Sequence, residues 1–213
     1  MSPIAAATDP DAFAALAAAR LRREPPGPYD PLSNPRGDHS VDAVYVPETL
    51  KPREAAVLVP VLPRPEPTLL FTQRTAHLRA HSGQIAFPGG KIDAGDPTPL
   101  DAALREAHEE IGLDPGQVRP LGYLDPYLSG TGYFILPTVG LVEPDFRPIP
   151  NPDEVASTFE VPLSFLMDPG RHELHAREWK GRTRRYYAIP YGDRYIWGVT
   201  AGIVRNLYER LRP

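Results

Sequence analysis

Three glutamates stand within one turn of a short segment, and their spacing indicates metal chemistry. Glu106 directly follows Arg105, and Glu109 and Glu110 come three and four residues after Glu106. In a helix the three glutamates would share an arc of about 100°. Carboxylates three or four residues apart on a helix repel one another, and oxygen-preferring cations such as Mg²⁺ and Mn²⁺ convert that repulsion into binding. The alternative is an acidic helix face that only contacts water, which is common for a charge run.

Two glycines upstream favour the metal-binding alternative. Gly89 and Gly90 have no Cβ, so their backbone could approach a cation or a pyrophosphate closely. The helix that must carry the glutamates is also marked in the sequence: Thr98 is placed as its N-cap, Pro99 as its first residue and Gly112 as its C-cap. Its apolar stripe consists of Leu100, Ala103, Leu104, Ala107 and Ile111.

The stretch from Gly90 to Leu113 resembles the Nudix box, G-x5-E-x7-R-E-U-x-E-E-x-G-U. It departs at two points, because Asp96 stands in place of the first glutamate and eight residues rather than seven separate it from Arg105. The second half, which carries the metal chemistry, matches fully. The resemblance implies that the three glutamates and the carbonyl of Gly90 bind Mg²⁺ or Mn²⁺, and that Arg105 orients the carboxylates.

A second motif precedes the box. The run from Leu69 to Gly90 is similar to the motif L-L-T-x-R-[ST]-x3-L-R-x-H-x-G-[EQ]-[IV]-A-F-P-G-G of the coenzyme A pyrophosphatase branch. The two departures of this chain from the Nudix box also resemble those of that branch. Arginine pairs with phosphate oxygens through two hydrogen bonds. The resemblance therefore implies a substrate site that contains Arg74, Arg79, His81 and Gly89. The alternative is that these arginines pair with Asp93, Asp96 or the box glutamates.

The resemblance implies a hydrolase that cleaves the P–O–P bond of coenzyme A or acyl-coenzyme A. Its products would be 3′,5′-ADP and 4′-phosphopantetheine or the acyl derivative. One alternative is a Nudix hydrolase of NADH, ADP-ribose, a dinucleoside polyphosphate or a capped RNA end. Another is a Nudix-fold module that binds without turnover. The expected partner is a small nucleotide, and formation of a homodimer is left as an open alternative.

The general base has several candidates. Nudix enzymes that resemble this one often take an additional glutamate from a distal loop, and Glu154, at the start of a predicted strand, is the first candidate. Glu143 is a weaker rival, and a box glutamate is a third option. The alternative for Glu154 is a strand-entry turn in which its side chain only faces water.

The segment 171–185 is both basic and aromatic, which is typical of surfaces that stack nucleotides or RNA. The alternative, a solvated hairpin, is favoured because strand alternation sends charged residues outward. The net charge of −4 also argues against general binding to nucleic acid or to an anionic membrane.

The amino-acid composition limits which classes of protein the chain can belong to. The chain has 213 residues, 41% of them hydrophobic, which suffices for one substantial core. Without cysteine, the chain has no disulfides, zinc–thiolate sites or thiol catalysis, which suits a reducing compartment such as the cytoplasm. No apolar run approaches the ~20 residues that cross a bilayer, so no membrane partner is expected.

The predicted architecture is of the α/β class, an α/β/α sandwich with a mixed β-sheet. Residues 1–54 are predicted to form a helix over 10–23 and a Pro-rich lead-in that packs on the domain at 55–213. Two early aspartates argue against the alternative of a transit peptide. Strands are predicted over 56–62, 68–73, 84–87, 118–124, 133–142, 154–161, 172–178 and 183–189, with helices over 99–111, 163–167 and 196–211. Pro60 and Pro137 are expected at bulges or edges.

Overall fold

The computed structural model of the protein describes residues 8–30, 36–42, 49–77, 83–179 and 181–212. Two predicted substrate-binding residues, Arg79 and His81, lie outside these ranges. The helices are α1 (Pro10–Arg20), α2 (Asp38–Asp42), α3 (Pro99–Ile111), α4 (Leu163–Leu166) and α5 (Val199–Leu211). The strands are β1 (Arg36–Gly37), β2 (Arg53–Leu62), β3 (Thr68–Arg74), β4 (Ile85–Ala86), β5 (Gly89–Lys91), β6 (Val118–Tyr123), β7 (Tyr127–Leu128), β8 (Tyr133–Val142), β9 (Val155–Pro162), β10 (Glu173–Trp179), β11 (Arg182–Tyr191) and β12 (Arg194–Trp197).

The main sheet is mixed. Its strand order is β1-β7-β8-β2-β3-β4, and β5, β6 and β9 pair with β2, β8 and β3 respectively. Strand β2 runs parallel to β8 and antiparallel to β3. The stiff connection at 63–67 therefore closes the predicted hairpin between β2 and β3.

Helices cover both faces of this sheet, which confirms the predicted α/β/α sandwich. Alternation along β2 sends Ala56, Leu58 and Leu62 into a core cluster with α3, where Ala103 and Ala107 are fully buried. The other face carries the larger cluster with α1 and α5, which includes Phe13, Ala17, Val59, Val61, Val204 and Leu207.

The positions of Pro60 and Pro137 correct the expectation of an edge or a bulge. Both lie in the central parallel pair, Pro60 opposite Gly140 and Pro137 opposite Val57. The other side of β2 pairs with β5 at residues 55–57 and with β3 at residues 61–62. Pro60 falls between these short partners, where a missing N–H removes no ladder bond. Pro137 similarly falls between the stretches of β8 that pair with β7 and β6.

The C-terminal region also differs from the prediction. Residues 194–197 form β12, which joins the predicted hairpin of β10 and β11 in a second, antiparallel sheet. Gly198 adopts a positive φ of 63° and caps α5, which begins at Val199 rather than at residue 196. Trp197 therefore ends a strand instead of initiating a helix. The predicted start of this helix was wrong because a single glycine, Gly198, separates β12 from α5.

The N-terminal helix belongs to the packed structure. Asp9 caps α1 by accepting from the backbone N–H of Ala12 at 2.7 Å, and Phe13 and Ala17 are fully buried. The helix ends at Arg20, three residues before the predicted end. The boundary at residue 54 stays a prediction. Within the described ranges, no helix is long and apolar enough to cross a membrane.

Candidate active site

Helix α3 carries the predicted glutamates and has the predicted ends. The side chain of Thr98 accepts from the backbone N–H of Asp101, and Gly112 adopts the left-handed conformation with a φ of 68°. These two caps fix the length of the helix. The buried side of α3 faces the sheet, and Glu106 and Glu110 lie beside Gly90 and Gly89 of β5.

Glu110 is the buried member of the three. Its side chain is 2% exposed, and Oε2 has no hydrogen-bond partner. Removal from water raises the pKa of Glu110 to about 8, against the opposing effects of Arg74 and of the Gly89 N–H, which hydrogen-bonds the carboxylate. In contrast, the side chain of Glu109 is 50% exposed. The three carboxylates therefore share a helix face but not an environment.

Glu106 lies against the backbone of Gly90. Strand β5 pairs with β2 so that Gly90 lies opposite Ala56, directly beside α3. A Cβ on Gly90 would stand 2.4 Å from the carboxylate carbon of Glu106, a distance that real Cβ contacts do not reach. Burial raises the pKa of Glu106, although its hydrogen bond with Arg105 opposes that shift. The glycine thus permits direct approach of the carboxylate to the β5 backbone.

Arg105 is the centre of the polar contacts on this side of α3. Its Nε and Nη2 donate to the two carboxylate oxygens of Asp96 at 3.0 and 2.9 Å. Its Nη1 donates to Glu106 at 3.0 Å and lies 3.4 Å from Glu109. The hydrogen bonds from Arg105 lower the pKa of Asp96, whose side chain is only 7% exposed. Asp96, which departs from the box pattern, therefore anchors the arginine.

Arg74 joins the upstream motif to the box. It ends β3, and its Nη1 lies 3.3 Å from Oε1 of Glu110. Its Nε is buried without a hydrogen-bond partner. This pairing matches, for one residue, the alternative in which the upstream arginines pair with box glutamates. Arg79 and His81 lie outside the described residues.

Glu154 lies on the same side of the sheet. Its backbone carbonyl accepts from the N–H of Thr75 at 3.0 Å, and the N–H of Asn151 donates to the carbonyl of Glu110 at 2.9 Å. The negative charge of Glu154 contributes to the raised pKa values of both Glu106 and Glu110, after the larger effect of burial. The loop before β9 thus places the backbone of Glu154 beside the end of β3, and the charge of Glu154 acts on Glu106 and Glu110.

Glu143 lies elsewhere. It directly follows Val142, the last residue of β8. That end of β8 pairs with β2 at residue 61, whereas Gly89 and Gly90 pair with β2 at residues 57 and 56. Its backbone N–H donates to the carbonyl of Gln117. The register therefore separates Glu143 from the site by about six to seven residues of extended strand, or roughly 20 Å.

The donor set suits a hard divalent cation. In the part of the chain that the structure describes, no three His, Asp or Glu side chains stand close enough to hold a metal. Arg105 engages Glu106 and Glu109, and Arg74 engages Glu110, so the carboxylates are held by arginines instead. Two observations still fit a metal: the buried Oε2 of Glu110 lacks a partner, and the space at Gly90 brings a carboxylate to the backbone. Oxygen donors of this kind are those that Mg²⁺ and Mn²⁺ prefer.

Residues 51–181 match the model of the NUDIX domain. The chain belongs to the Nudix hydrolase family. A Nudix hydrolase of Escherichia coli K12, named NudL and described as uncharacterized, is 45% identical over 160 residues, which cover 75% of this chain and 83% of that relative.

Two solved structures illustrate more distant Nudix likenesses. The NUDIX domain of Shewanella oneidensis NrtR, complexed with ADP ribose, is 16% identical with a TM-score of 0.48, over 81% of this chain and 97% of that one. A C. elegans Ap4A hydrolase is 18% identical with a TM-score of 0.43, over 50% of this chain and 77% of that one.

The basic and aromatic segment at 171–185 forms the β10–β11 hairpin, apart from α3. The guanidinium of Arg177 lies 4.7 Å from the ring centroid of Trp197 and 5.9 Å from that of Tyr186. Arg184 and Arg185 are exposed. The cation–π contacts fit the favoured prediction of a solvated hairpin whose charges face outward.

Sequence reasoning left the role of Asp96 open and missed the contact between Gly90 and Glu106. The shifted acidic residue was visible in the box pattern, and its pairing with Arg105 could have been inferred from charge. The Gly90 contact had no local signal, because it depends on the pairing of β5 with β2.

Proposed function

We propose that this Nudix hydrolase cleaves the P–O–P bond of coenzyme A or acyl-coenzyme A to 3′,5′-ADP and 4′-phosphopantetheine or its acyl derivative. The observation that carries the proposal is the contact between Arg74 and Glu110, 3.3 Å apart. Arg74 belongs to the motif that resembles the coenzyme A branch, and Glu110 belongs to the box. Their contact supports the idea that the two motifs form one site.

The groups proposed to hold Mg²⁺ or Mn²⁺ are the carboxylates of Glu106, Glu109 and Glu110 and the carbonyl of Gly90. A bound cation would neutralise charge that develops on the phosphates and would make water more acidic. Arg105 is proposed to keep Glu106 and Glu109 beside the β5 backbone, since it donates to both while anchored on Asp96.

Glu154 is our candidate for the general base. Its charge acts on both Glu106 and Glu110, which supports a position of Glu154 on the side of the site that would hold the metal. It would accept the proton of the attacking water while the P–O bond to the leaving phosphate breaks. A box glutamate is the alternative base. The phosphate oxygens would be bound by Arg74, Arg79, His81 and the backbone at Gly89.

The test is a chromatographic assay of the purified protein with Mg²⁺ or Mn²⁺ and three substrates in parallel, coenzyme A, ADP-ribose and NADH. We expect the highest kcat/KM with coenzyme A, and 3′,5′-ADP and 4′-phosphopantetheine as the products. Faster hydrolysis of ADP-ribose or NADH would replace the proposed substrate. Binding without products from any substrate would favour a non-catalytic module.

A variant can then test the motif. Arg79→Ala should lower kcat/KM for coenzyme A by roughly 10- to 150-fold, because a lost charge-assisted hydrogen bond costs about 1.5–3 kcal/mol. Hydrolysis of ADP-ribose, which lacks the 3′-phosphate and the pantetheine arm, should fall much less. An equal loss for both substrates would assign Arg79 to the shared pyrophosphate instead.

A further inference from the structure

Two buried polar atoms face the candidate site without partners. One is a donor, Nε of Arg74, and the other is an acceptor, Oε2 of Glu110. They belong to the two side chains of one ion pair, whose closest atoms, Nη1 and Oε1, are 3.3 Å apart. Buried polar groups are normally hydrogen-bonded, and an unsatisfied one costs stability. This ion pair therefore leaves one group on each partner unsatisfied.

The two side chains of this ion pair also differ in their exposure to solvent. Glu110 is 2% exposed, whereas Arg74 is 24% exposed at the end of β3. A buried carboxylate needs a nearby positive charge, and among the described residues Arg74 is the one recorded within ion-pair distance of it. The guanidinium, in contrast, can reach solvent or a ligand by rotation of its side chain.

We propose that Arg74 is the counter-charge of Glu110 only while the enzyme is metal-free, and that a bound divalent cation displaces it. The inference rests on the proposed metal site and adds a second role for Arg74. A cation on Glu110 would repel the guanidinium, because two positive groups would then share one carboxylate. The displaced Arg74 would present its donors, including Nε, to an anionic phosphate oxygen.

The backbone around Arg74 allows such an exchange without refolding. Its N–H donates to the carbonyl of Gln84 at 2.9 Å, and a bulge in the pairing with β9 falls between Gln73 and Arg74. The main chain of Arg74 is therefore held between Gln84 and Val155, so the exchange would require a change of side-chain rotamer alone. Metal binding and phosphate binding would be coupled through this one residue.

The first test measures Mn²⁺ affinity by calorimetric titration of the full chain, without substrate. Arg74→Gln should bind Mn²⁺ about tenfold more tightly, because removal of a competing charge-assisted contact lowers the cost of binding by about 1.4 kcal/mol. Arg74→Lys keeps the charge and should lie between the two. The matched control is Arg64→Gln: Arg64 is 21% exposed and pairs with Glu160 at 2.8 Å, at the opposite end of β3. Its Mn²⁺ affinity should equal that of the unsubstituted protein.

The second test is thermal unfolding with EDTA and with saturating Mn²⁺. Arg74→Gln should lower Tm by roughly 2–4 °C in EDTA and much less with Mn²⁺, because the ion pair is already broken there. Arg64→Gln should lower Tm equally in both. Unchanged or weaker Mn²⁺ affinity of Arg74→Gln, or an equal loss of Tm in both conditions, would overturn the exchange alone. No Mn²⁺ binding by the unsubstituted protein would overturn the metal site and the exchange together.

Discussion

Two clusters of carboxylates and arginines among the described residues lie on opposite faces of the main sheet, and they differ in how fully the charges of their carboxylates are compensated. In the first, at α3, burial raises the pKa values of Glu106 and Glu110. In the second, Asp125 and Glu209 are also partly buried, but arginines outweigh that effect and lower the pKa values of both.

The second cluster connects distant parts of the chain. Arg36 donates to both Asp125 and Glu209, Arg210 donates to Asp125, and Arg205 donates to Glu209 at 2.7 Å. Residue 36 precedes the main domain core, residue 125 follows β6, and the others lie on α5. Each carboxylate has at least two arginine partners, so this cluster is a structural junction.

The difference indicates which cluster is prepared for a ligand. At α3 a carboxylate oxygen is buried without a partner. Each cluster has one buried guanidinium nitrogen without a partner, on Arg74 and on Arg210, but no carboxylate oxygen of this kind occurs in the described part of the second cluster. Stability is served by full pairing of the carboxylates, whereas binding requires a carboxylate held ready for an absent partner. The following predictions test this contrast.

The largest effect should come from Glu110→Gln. With saturating Mg²⁺, kcat should fall by about 10³-fold or more, because loss of a catalytic metal removes several kcal/mol of transition-state stabilisation. At about pH 8 the metal-free variant should nonetheless be more stable, by on the order of 1 kcal/mol, since a neutral amide replaces a buried carboxyl whose charge is incompletely paired. Steady-state kinetics and urea unfolding in EDTA check both parts. Near-normal turnover would remove Glu110 from the proposed site.

Glu154→Gln should lower kcat by roughly 10²–10³-fold with little change in substrate affinity, because a positioned general base contributes about that much. The variant keeps the size of the side chain and removes its basicity. Glu143→Gln, at the other end of the strands, serves as the control and should stay fully active. If only KM changed in Glu154→Gln, the residue would bind substrate, and the base would be sought among the box glutamates.

Asp125→Asn should show the opposite pattern to Glu110→Gln. It should lower the free energy of unfolding by about 1–3 kcal/mol, because Arg36 and Arg210 lose their charged acceptor in a partly buried junction. Turnover at a temperature where the variant is folded should not change. Asp145→Asn, on an exposed loop, is the control for loss of one negative charge. A drop in kcat without a loss of stability would contradict the structural role.

The smallest expected effect is a difference between Asp125→Asn and Glu110→Gln in how their free energy of unfolding depends on pH. It is measured by unfolding in EDTA. The folded pKa of Asp125 is lowered, so its stabilisation is complete above about pH 5 and is lost as the pH falls. The folded pKa of Glu110 is raised to about 8, so the cost of its charge is absent in acid and grows as the pH rises toward that value.

The advantage of the unsubstituted protein over Asp125→Asn should therefore be constant from about pH 5 upward. The advantage of Glu110→Gln over the unsubstituted protein should keep increasing up to about pH 8. Parallel curves for the two variants would mean that the two clusters are electrostatically alike.

Local sequence signals predicted the longer elements, whereas the short strands β1, β5, β7 and β12 and the short helix α2 were not predicted. Helix α3 begins and ends as expected because a Thr98 cap, Pro99 and Gly112 act within a few residues of each other. Strand β8 also has its predicted bounds, 133–142, despite Pro137. The prediction that Pro60 and Pro137 lie at an edge or a bulge was wrong. A proline in a central strand is tolerated where two short partner strands leave a gap. The sequence does not show such a gap, because strand pairing is not a local property.

The sequence by itself determined that three glutamates share one helix face, that arginines and glycines precede them, and that a mixed sheet lies between helices. These features follow from residue spacing along one chain segment. Only the tertiary structure decided that Glu110 is buried while Glu109 is exposed, that Arg74 contacts Glu110, and that Glu154 lies near the site while Glu143 does not. Burial and charge compensation depend on which strands pair, and residues 36 to 79 positions apart meet only after that pairing is set.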